Sequence, residues 1–440
     1  MSLRTKAPLL AVSALVSAFG FASTAYADAF YLQAQSARGA GRAFSGEAAD
    51  TGAASLWWNP AAIAGIRDGS ATLSATAILP KGDVIDTGTQ IGRPTFNPNI
   101  PVTYSPIGGN GVSRDPINKG IVPSGAIAYP LTDRIAIGVS VTSPFSFTTN
   151  YEANSWARYS ADKTRLRTID VQPSIGIVVT DWLRVGAGLN VEYTDAILNN
   201  ALPNVSAALP DGFQELKGDG WDFGWSAGVQ LHNDFATVGV SYKSSIRHNL
   251  KGDLTVSGLV GPLASSNTSV SGAKAAFNTP GQVIVAGRIR GTDKLTLNAQ
   301  VIAFNWSKFD TIDLGAPLNT AIPENYKDSW SLAGGLDYDV TPKLTVRAGL
   351  QRTKSPTQDG QRDARVPDAD RWTYAAGGSY QLSPHIALDA AAQYVDFENT
   401  TIDRVTAAYV GTAAQTNILT SGALRNASAV VLSLGGRVSF

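Results

Sequence analysis

The feature that most constrains this chain is an alternation of apolar and polar residues that starts near residue 68 and recurs to its end. In 343–351, for example, apolar residues from Leu344 to Leu350 occupy every second position, and polar or small residues lie between them. Similar runs occupy 182–193 and 385–394. A period of two is typical of β-strands whose two faces meet different surroundings. One such strand also fits a soluble β-sandwich, so the number of strands and their connections must distinguish the two.

The first 27 residues are typical of a secretory signal peptide. A basic start is followed by the uncharged run 7–22 and by Ala25-Tyr26-Ala27, a cleavage motif that makes Asp28 the expected mature N-terminus. The alternative is an uncleaved anchor, which the short apolar run disfavours. After this segment, no stretch approaches the ~20 apolar residues of a membrane helix. A secreted chain built from strands is then either soluble or a closed barrel, because an open sheet leaves backbone groups unpaired in lipid.

Six tight connections between alternating runs share one form, a small polar residue followed by Asp or Pro. Asx side chains bond their own backbone and proline presets φ, so both favour turns. Successive copies are separated by one strand pair and a longer connection, as expected for hairpins. The six are Thr132-Asp133, Thr180-Asp181, Asn233-Asp234, Thr292-Asp293, Thr341-Pro342 and Ser383-Pro384.

Longer polar connections alternate with these turns. Short turns at one end and long loops at the other are typical of outer-membrane barrels. Six turns and seven loops connect 14 strands, an even number that such barrels require. The sequence therefore predicts an all-β fold, a 14-stranded antiparallel transmembrane β-barrel over 68–440. The predicted loops are roughly 80–120, 151–163, 196–218, 249–279, 310–327, 356–370 and 400–427.

Composition and charge exclude several functional classes. Lys+Arg and Asp+Glu both number 35, so no charge excess predicts binding to nucleic acid. The chain has no cysteine, which excludes disulfides and thiolate metal sites. Neither His232, His248 nor His385 lies in a catalytic motif, so we expect no enzyme and no cofactor. Asp363, Asp368 and Asp370 could bind calcium, but a solvated loop is the favoured interpretation.

Residues 28–67 do not alternate, although they are rich in apolar and aromatic side chains. Phe30, Tyr31 and Leu32 lie at their start, and Trp57-Trp58 near their end. Forty residues are too few to fold alone. A segment of this kind in front of a barrel is best interpreted as a hatch that plugs the lumen.

Motifs in the hatch and barrel resemble one protein family. Residues 41–47, Gly-Arg-Ala-Phe-Ser-Gly-Glu, followed by Asn59-Pro60-Ala61, resemble the N-terminal hatch of the FadL/TodX family of outer-membrane transporters of hydrophobic compounds. Further resemblances follow in the same order along the chain. They are Ser143-Pro144-Phe145, Tyr151-Glu152, Trp156-Ala157-Arg158-Tyr159, Pro173-Ser174, 305–310 and 367–372.

The resemblance implies a path for cargo. Ligand binds among extracellular loops, enters an apolar pocket, and leaves sideways through an inward kink in the third strand after the hatch N-terminus moves. The resemblance also implies that this transport needs no energy source. Here the third strand is predicted at about 134–148 and contains Pro144, which removes one ladder hydrogen bond. An ordinary irregularity at the strand end explains the same proline.

The site residues follow from that path. Phe30, Tyr31, Leu32 and Arg158 are predicted to bind ligand, and no metal site is predicted. The predicted hatch and lateral-gate residues are Asn59, Pro60, Ala61, Pro144 and Phe145. Other inward-facing candidates for a cargo carboxylate are Arg184, Arg288, Arg290, Arg347 and Arg437.

Long-chain fatty acids are the expected cargo, and aromatic or aliphatic hydrocarbons are the alternative within the same family. A general porin is a further alternative, although a water-filled pore needs no apolar plug. We expect a monomer in the bacterial outer membrane, surrounded by its lipids. The last strand ends on Phe440, a feature that the barrel assembly machinery reads.

Overall fold

The computed structural model describes residues 29–95, 99–316 and 318–440. The predicted signal peptide and Asp28 lie outside these residues. Within them, the chain forms fourteen barrel strands, which confirms the predicted fold class. The strands are β1 (Ser70–Asp86), β2 (Gly120–Pro130), β3 (Ile135–Thr142 and Ser146–Asn150), β4 (Lys163–Thr180), β5 (Leu183–Leu202), β6 (Gly212–His232), β7 (Ala236–Lys243 and Ile246–Ser257), β8 (Thr268–Thr279 and Gln282–Arg290), β9 (Leu295–Phe304 and Thr311–Leu314), β10 (Thr320–Pro323 and Ser329–Thr341), β11 (Leu344–Thr353), β12 (Arg371–Ser383), β13 (Ile386–Phe397 and Thr400–Ala408) and β14 (Thr416–Ser439).

Each strand pairs antiparallel with its sequence neighbour, and β14 closes the barrel against β1 from Ser70↔Ser439 onward. Closure leaves no sheet edge in the wall, as lipid requires. Three short strands in the loop after β1 extend the wall beyond this closed part. They are Gln90–Gly92, Tyr104–Pro106 and Val112–Arg114.

All six predicted turns connect strands at one end of the barrel, here called the short-turn end. Their side chains bond the backbone as expected: the Asn233 carbonyl oxygen accepts from the backbone N–H of Phe235 at 3.1 Å and of Ala236 at 2.8 Å. At the opposite, long-loop end, several loops are shorter than predicted. The strands β5 and β6 continue well into 196–218, because the paired sheet extends past the lipid-facing residues.

The outer surface carries an exposed apolar band bounded by aromatic residues on both sides. Such girdles mark the two interfaces of a bilayer. Toward the short-turn end the band ends at Tyr129, Trp182, Phe235, Tyr338 and Tyr380. Toward the long-loop end it ends at Trp221, Trp225, Trp330, Tyr374 and Tyr394. Among the described residues, no helix is long and apolar enough to cross a membrane.

The N-terminal segment, residues 29–67, lies inside the barrel. It contains the helix α1 (Ala37–Ala40) and the short 3₁₀ turns Glu47–Ala49, Ala53–Ser55 and Pro60–Ile63. Glycines of nine strands face it so closely that an added Cβ would come within 3.0 Å of its atoms. These are Gly138, Gly176, Gly186, Gly228, Gly239, Gly335, Gly349, Gly377 and Gly435.

Candidate functional site

Residues 37–67, here called the anchored part, are fastened to the wall by buried charges. The Arg42 guanidinium donates to Glu47 at 2.5 Å, to Asp50 at 2.6 Å and to Asp337 of β10 at 3.1 Å. A buried charge is tolerated when it is paired in this way. Asp337 has two further partners, Arg288 of β8 at 2.9 Å and Arg347 of the neighbouring strand β11 at 2.8 Å.

These pairings account for several of the candidate arginines. Arg288 and Arg347 belong to the network around Asp337, and Arg437 bonds Asp389 at 2.8 Å. Arg290 is exposed near the short-turn end. None of these four borders the apolar cavity described below.

The Asn59-Pro60-Ala61 motif is a second anchor. The Asn59 side-chain oxygen accepts from the Ala61 N–H at 2.9 Å, so Asn59 caps the turn that Pro60 begins. Its amide donates to the carbonyls of Ala48 at 2.8 Å and of Val229 in β6 at 3.2 Å. The motif therefore packs on β5 and β6 and is not in contact with Pro144.

Residues 29–36, here called the arm, are held differently. The wall strand β3 is interrupted between Thr142 and Ser146, and the arm runs beside this break. The Leu32 N–H donates to the Pro144 carbonyl at 2.7 Å, and the Ser146 N–H donates to the Phe30 carbonyl at 2.9 Å. The arm thus supplies hydrogen bonds that a neighbouring strand would otherwise provide.

Gln35 supplies two further hydrogen bonds to the interrupted strand. Its side-chain amide donates to the Ser143 carbonyl at 2.9 Å, and its side-chain oxygen accepts from the Ser143 N–H at 3.3 Å. The last ladder pair between β2 and β3 is Gly125↔Val141, so the next residue opposite Ser143 in register is Pro123. Proline has no N–H to donate. Gln35 therefore pairs with the backbone of β3 at the position where β2 offers only a proline.

An apolar cavity lies on the long-loop side of the arm. We call it the outer cavity. Phe30 of the arm lines it, together with Phe147, Leu198, Leu250 and Phe309. The Phe30 ring also belongs to an aromatic cluster with centroid distances of 4.8 to 6.0 Å. The partners are Phe145, Phe147, Trp306 and Phe309.

A second cavity, of about 520 Å³, lies on the other side of the arm. We call it the middle cavity. Tyr31, Leu32 and Gln33 line it, as does Phe44 of the anchored part. The arm therefore separates two cavities. Phe30 faces the outer cavity, whereas Tyr31 and Leu32 face the middle cavity.

Three charged side chains border the otherwise apolar outer cavity, Arg165, Arg365 and Glu324. Arg165 is paired with Asp195 at 2.6 Å. The guanidinium of Arg365 bonds two neutral groups, the Thr164 hydroxyl at 3.3 Å and the Asn200 side-chain oxygen at 3.4 Å. Burial lowers the pKa of Arg365 from its ordinary value. Burial also raises the pKa of Glu324 to about 7, although Arg404 lies 3.8 Å from its carboxylate.

Arg158, predicted to bind ligand, lies in the loop between β3 and β4 and fastens other loops. It bonds Asp211 at 2.9 Å and the carbonyls of Ile107 at 2.9 Å and Gly108 at 3.0 Å. It does not line the outer cavity. Its charge is used to join loops that are far apart in sequence.

The three aspartates considered for calcium form separate ion pairs. Asp363 bonds Arg404 at 2.7 Å, and Asp368 bonds Arg371 at 3.1 Å. Asp368 also accepts from the Ala29 N–H at 3.0 Å, which ties the start of the arm to the loop before β12. Asp370 bonds Lys354. Asp363 and Asp368 are buried with their arginine partners, so the prediction of a solvated loop is wrong for these two residues.

Two residues of this site, Arg365 and Gln35, were absent from the sequence-based prediction. Arg365 lies in a long loop that folds into the barrel mouth, and nothing in its local sequence predicts that placement. Gln35 lies in a segment without strand alternation. Its sequence neighbourhood offers one signal, an amide side chain in the segment that precedes the first strand, but Gln33 carries the same signal.

The chain was compared with known proteins. The family described as "Outer membrane protein transport protein (OMPP1/FadL/TodX)" matches residues 18–440. The "Long-chain fatty acid transport protein" of Escherichia coli O6:H1 is 25% identical over 430 residues, covering 90% of this chain and 91% of the relative.

Solved structures agree on the fold. A Pseudomonas aeruginosa FadL homologue aligns with a TM-score of 0.80 at 24% identity and covers 93% of this chain and 99% of its own. The toluene transporter TodX of Pseudomonas putida aligns with a TM-score of 0.67 at 14% identity, with the same coverage of both chains. At these identities, the similarity establishes a common fold.

Proposed function

This chain belongs to the OMPP1/FadL/TodX family of outer-membrane transporters of hydrophobic compounds, not of enzymes, and we propose that its own cargo is long-chain fatty acid. The E. coli relative is named for that cargo, whereas the P. putida structure is named for toluene. The choice between them rests on the residues that border the outer cavity.

The observation that supports a fatty acid is a partly buried cation without a bonded carboxylate, Arg365, at the edge of an apolar cavity. Each CH₂ of an acyl chain that leaves water contributes ~0.8 kcal/mol, and the aromatic and aliphatic lining of the outer cavity suits such a chain. A carboxylate head group needs a charged hydrogen-bond partner, and a guanidinium suits it well. Arg365, bonded to two neutral groups, is available for this role. Toluene is uncharged and could form neither an ion pair nor a hydrogen bond with Arg365.

The proposed path leads from the outer cavity past the arm. Movement of the arm withdraws Phe30, joins the outer and middle cavities, and removes Gln35 and Leu32 from the break in β3. Cargo then leaves between β2 and β3 into the membrane. The hatch is thus residues 28–67, of which the arm moves and the anchored part stays. Monomeric state, contact with membrane lipids, and recognition of Phe440 by the assembly machinery belong to the same proposal.

Binding to purified protein tests the cargo. We expect Arg365→Gln to weaken binding of hexadecanoate at least tenfold, about 1.4 kcal/mol, while binding of the neutral hexadecanol changes little. Arg158→Gln is the matched control, and it should leave the affinity for both ligands unchanged. Equal weakening of both ligands, or toluene binding as tight as that of hexadecanoate, would favour the hydrocarbon channel instead.

A further inference from the structure

A third cavity lies beside Pro144 and Phe145 and is lined mainly by polar and charged residues. We call it the polar cavity. Asp170 of β4 and Glu192 of β5 stand directly opposite each other in the ladder and both are 1% exposed. Asn190 of β5 also lines the cavity. Across it lie the paired residues Lys243 of β7 and Gln282 of β8, and the Trp57 ring.

The orientation of Asn190 is fixed by its neighbours. Its amide nitrogen donates to Asp170 at 2.7 Å and to the side-chain oxygen of Gln172 at 3.1 Å. Rotating the amide by half a turn would place an oxygen against these two acceptors, so the reverse orientation is excluded. The Asn190 side-chain oxygen therefore points away from both. It is buried and has no hydrogen-bond donor among the described residues.

Three more buried oxygens on this cavity have no donor in the described part of the chain, one each of Asp170 and Glu192 and the side-chain oxygen of Gln282. The nearest ring nitrogen to Glu192 is that of His248, at 3.6 Å. Both nitrogens of His248 are already engaged, by Thr194 and Thr279 at 3.0 Å each. The residues lining the cavity therefore present four acceptors without donors, against one buried donor without an acceptor, the Trp57 ring nitrogen.

The charged side chains around the polar cavity also favour a positively charged occupant. The two carboxylates face one ammonium, that of Lys243, which already donates to Gln172 at 2.7 Å and lies 4.4 Å from the Trp57 ring centre. When both carboxylates are ionised, the cluster carries one more negative charge than the ammonium balances, and an uncompensated charge is costly in a buried cavity. The free space is about that of one water molecule or one small ion.

We propose that the polar cavity binds one monovalent metal cation, coordinated by Glu192 and by the amide oxygens of Asn190 and Gln282. An all-oxygen donor set suits a hard cation. A single positive charge balances the cluster, whereas a divalent ion would leave it positive and a water molecule would leave it negative. The site lies on the wall beside the β3 break, so its occupant stabilises β4, β5, β7 and β8 where they meet Pro144. This site is independent of the cargo.

Crystals of the mature protein test this directly. They should be grown with choline chloride as the salt and then soaked in rubidium chloride, because Rb⁺ gives an anomalous signal. We expect one anomalous peak in coordination distance of Glu192, Asn190 and Gln282, and its loss in Glu192→Gln. The matched control, Glu398→Gln, changes an acid that is 55% exposed and should keep the peak. Density without anomalous signal, as from a water molecule, would overturn the proposal.

Heat stability provides a second measurement that does not depend on the variant crystallising. At equal ionic strength, sodium chloride should raise the unfolding temperature of the wild type above that in choline chloride, and Glu192→Gln should abolish the difference. Equal temperatures in both salts would contradict a cation site. A rise with calcium chloride but not with sodium chloride would contradict the monovalent assignment.

Discussion

The arm and the anchored part of the N-terminal segment both lie inside the barrel and are largely buried, yet they are held by different forces. The anchored part is fixed by the Arg42 ion network and by the Asn59 amide, whose partners lie on β6 and β10. The arm is fixed by hydrogen bonds to one interrupted strand and by the Phe30 ring. Burial alone does not determine which part of a plug can move; the number and charge of its attachments do.

The largest effect is expected from joining the arm to the wall. Tyr31 and Phe145 are bridge partners, so cysteines at these positions lie within reach of a disulfide. The oxidised Tyr31→Cys/Phe145→Cys protein should lose fatty acid uptake almost completely, because the arm cannot leave the break. Uptake by cells is the measurement, and reduction should restore it. The chain has no native cysteine to interfere. Normal uptake with the bond formed would mean that the arm need not move.

Removing the central charge of the anchored part should erase the contrast between the two parts. Arg42→Met leaves Glu47, Asp50 and Asp337 without their shared partner, which costs about 3–5 kcal/mol for a buried network. Amide hydrogen exchange in residues 37–67 should then rise to the rate found in the arm. Arg38→Met is the control, since Arg38 bonds Asp50 at the partly exposed rim and its loss should have a smaller effect. Unchanged exchange in Arg42→Met would show that packing alone anchors the segment.

The smallest effect is expected at Gln35, and it should be confined to the arm. Gln35→Leu keeps the volume but leaves the N–H and carbonyl of Ser143 without these partners, at about 1–3 kcal/mol. Hydrogen exchange at residues 142–146 should accelerate, while exchange in residues 37–67 stays constant. The control is Gln33→Leu, which changes a neighbouring residue that lines the middle cavity. If both variants behave alike, Gln35 has no special role at the break.

The barrel could be predicted from sequence because lipid imposes a pattern on single strands. The alternation around Leu344 and the turn at Asn233-Asp234 are local features, and both were found as predicted. The loop 196–218 was predicted too long, since β5 and β6 stay paired there while their apolar residues, such as Leu198 and Leu216, face the lumen and no longer the lipid. The sequence also indicated an irregularity at Pro144, because proline is the one residue without a backbone N–H to donate to the ladder.

The site was only partly predictable, because it depends on contacts between distant residues. Phe30 stands out in any plug segment, and it does line the outer cavity. The local sequence does not distinguish the roles of Arg158 and Arg365. Arg158 pairs with Asp211, fifty-three residues later, whereas Arg365 bonds Thr164, more than two hundred residues earlier. The charge of an arginine allows it either to fasten loops or to bind a carboxylate cargo, and only the contacts made by the folded loops decide between these two roles.

The nine glycines that face the N-terminal segment have a consequence for antibiotic susceptibility. At Gly228 a methyl group would overlap the Asn59 side chain, and at Gly239 it would overlap the Ala48 carbonyl. Overpacking of this kind costs about 1–3 kcal/mol per site and falls on the plug, since the outer face of each strand is unchanged. We therefore expect a glycine-to-alanine mutation to leave the barrel assembled but to loosen its plug. We expect cells with several such mutations to become more sensitive to water-soluble drugs.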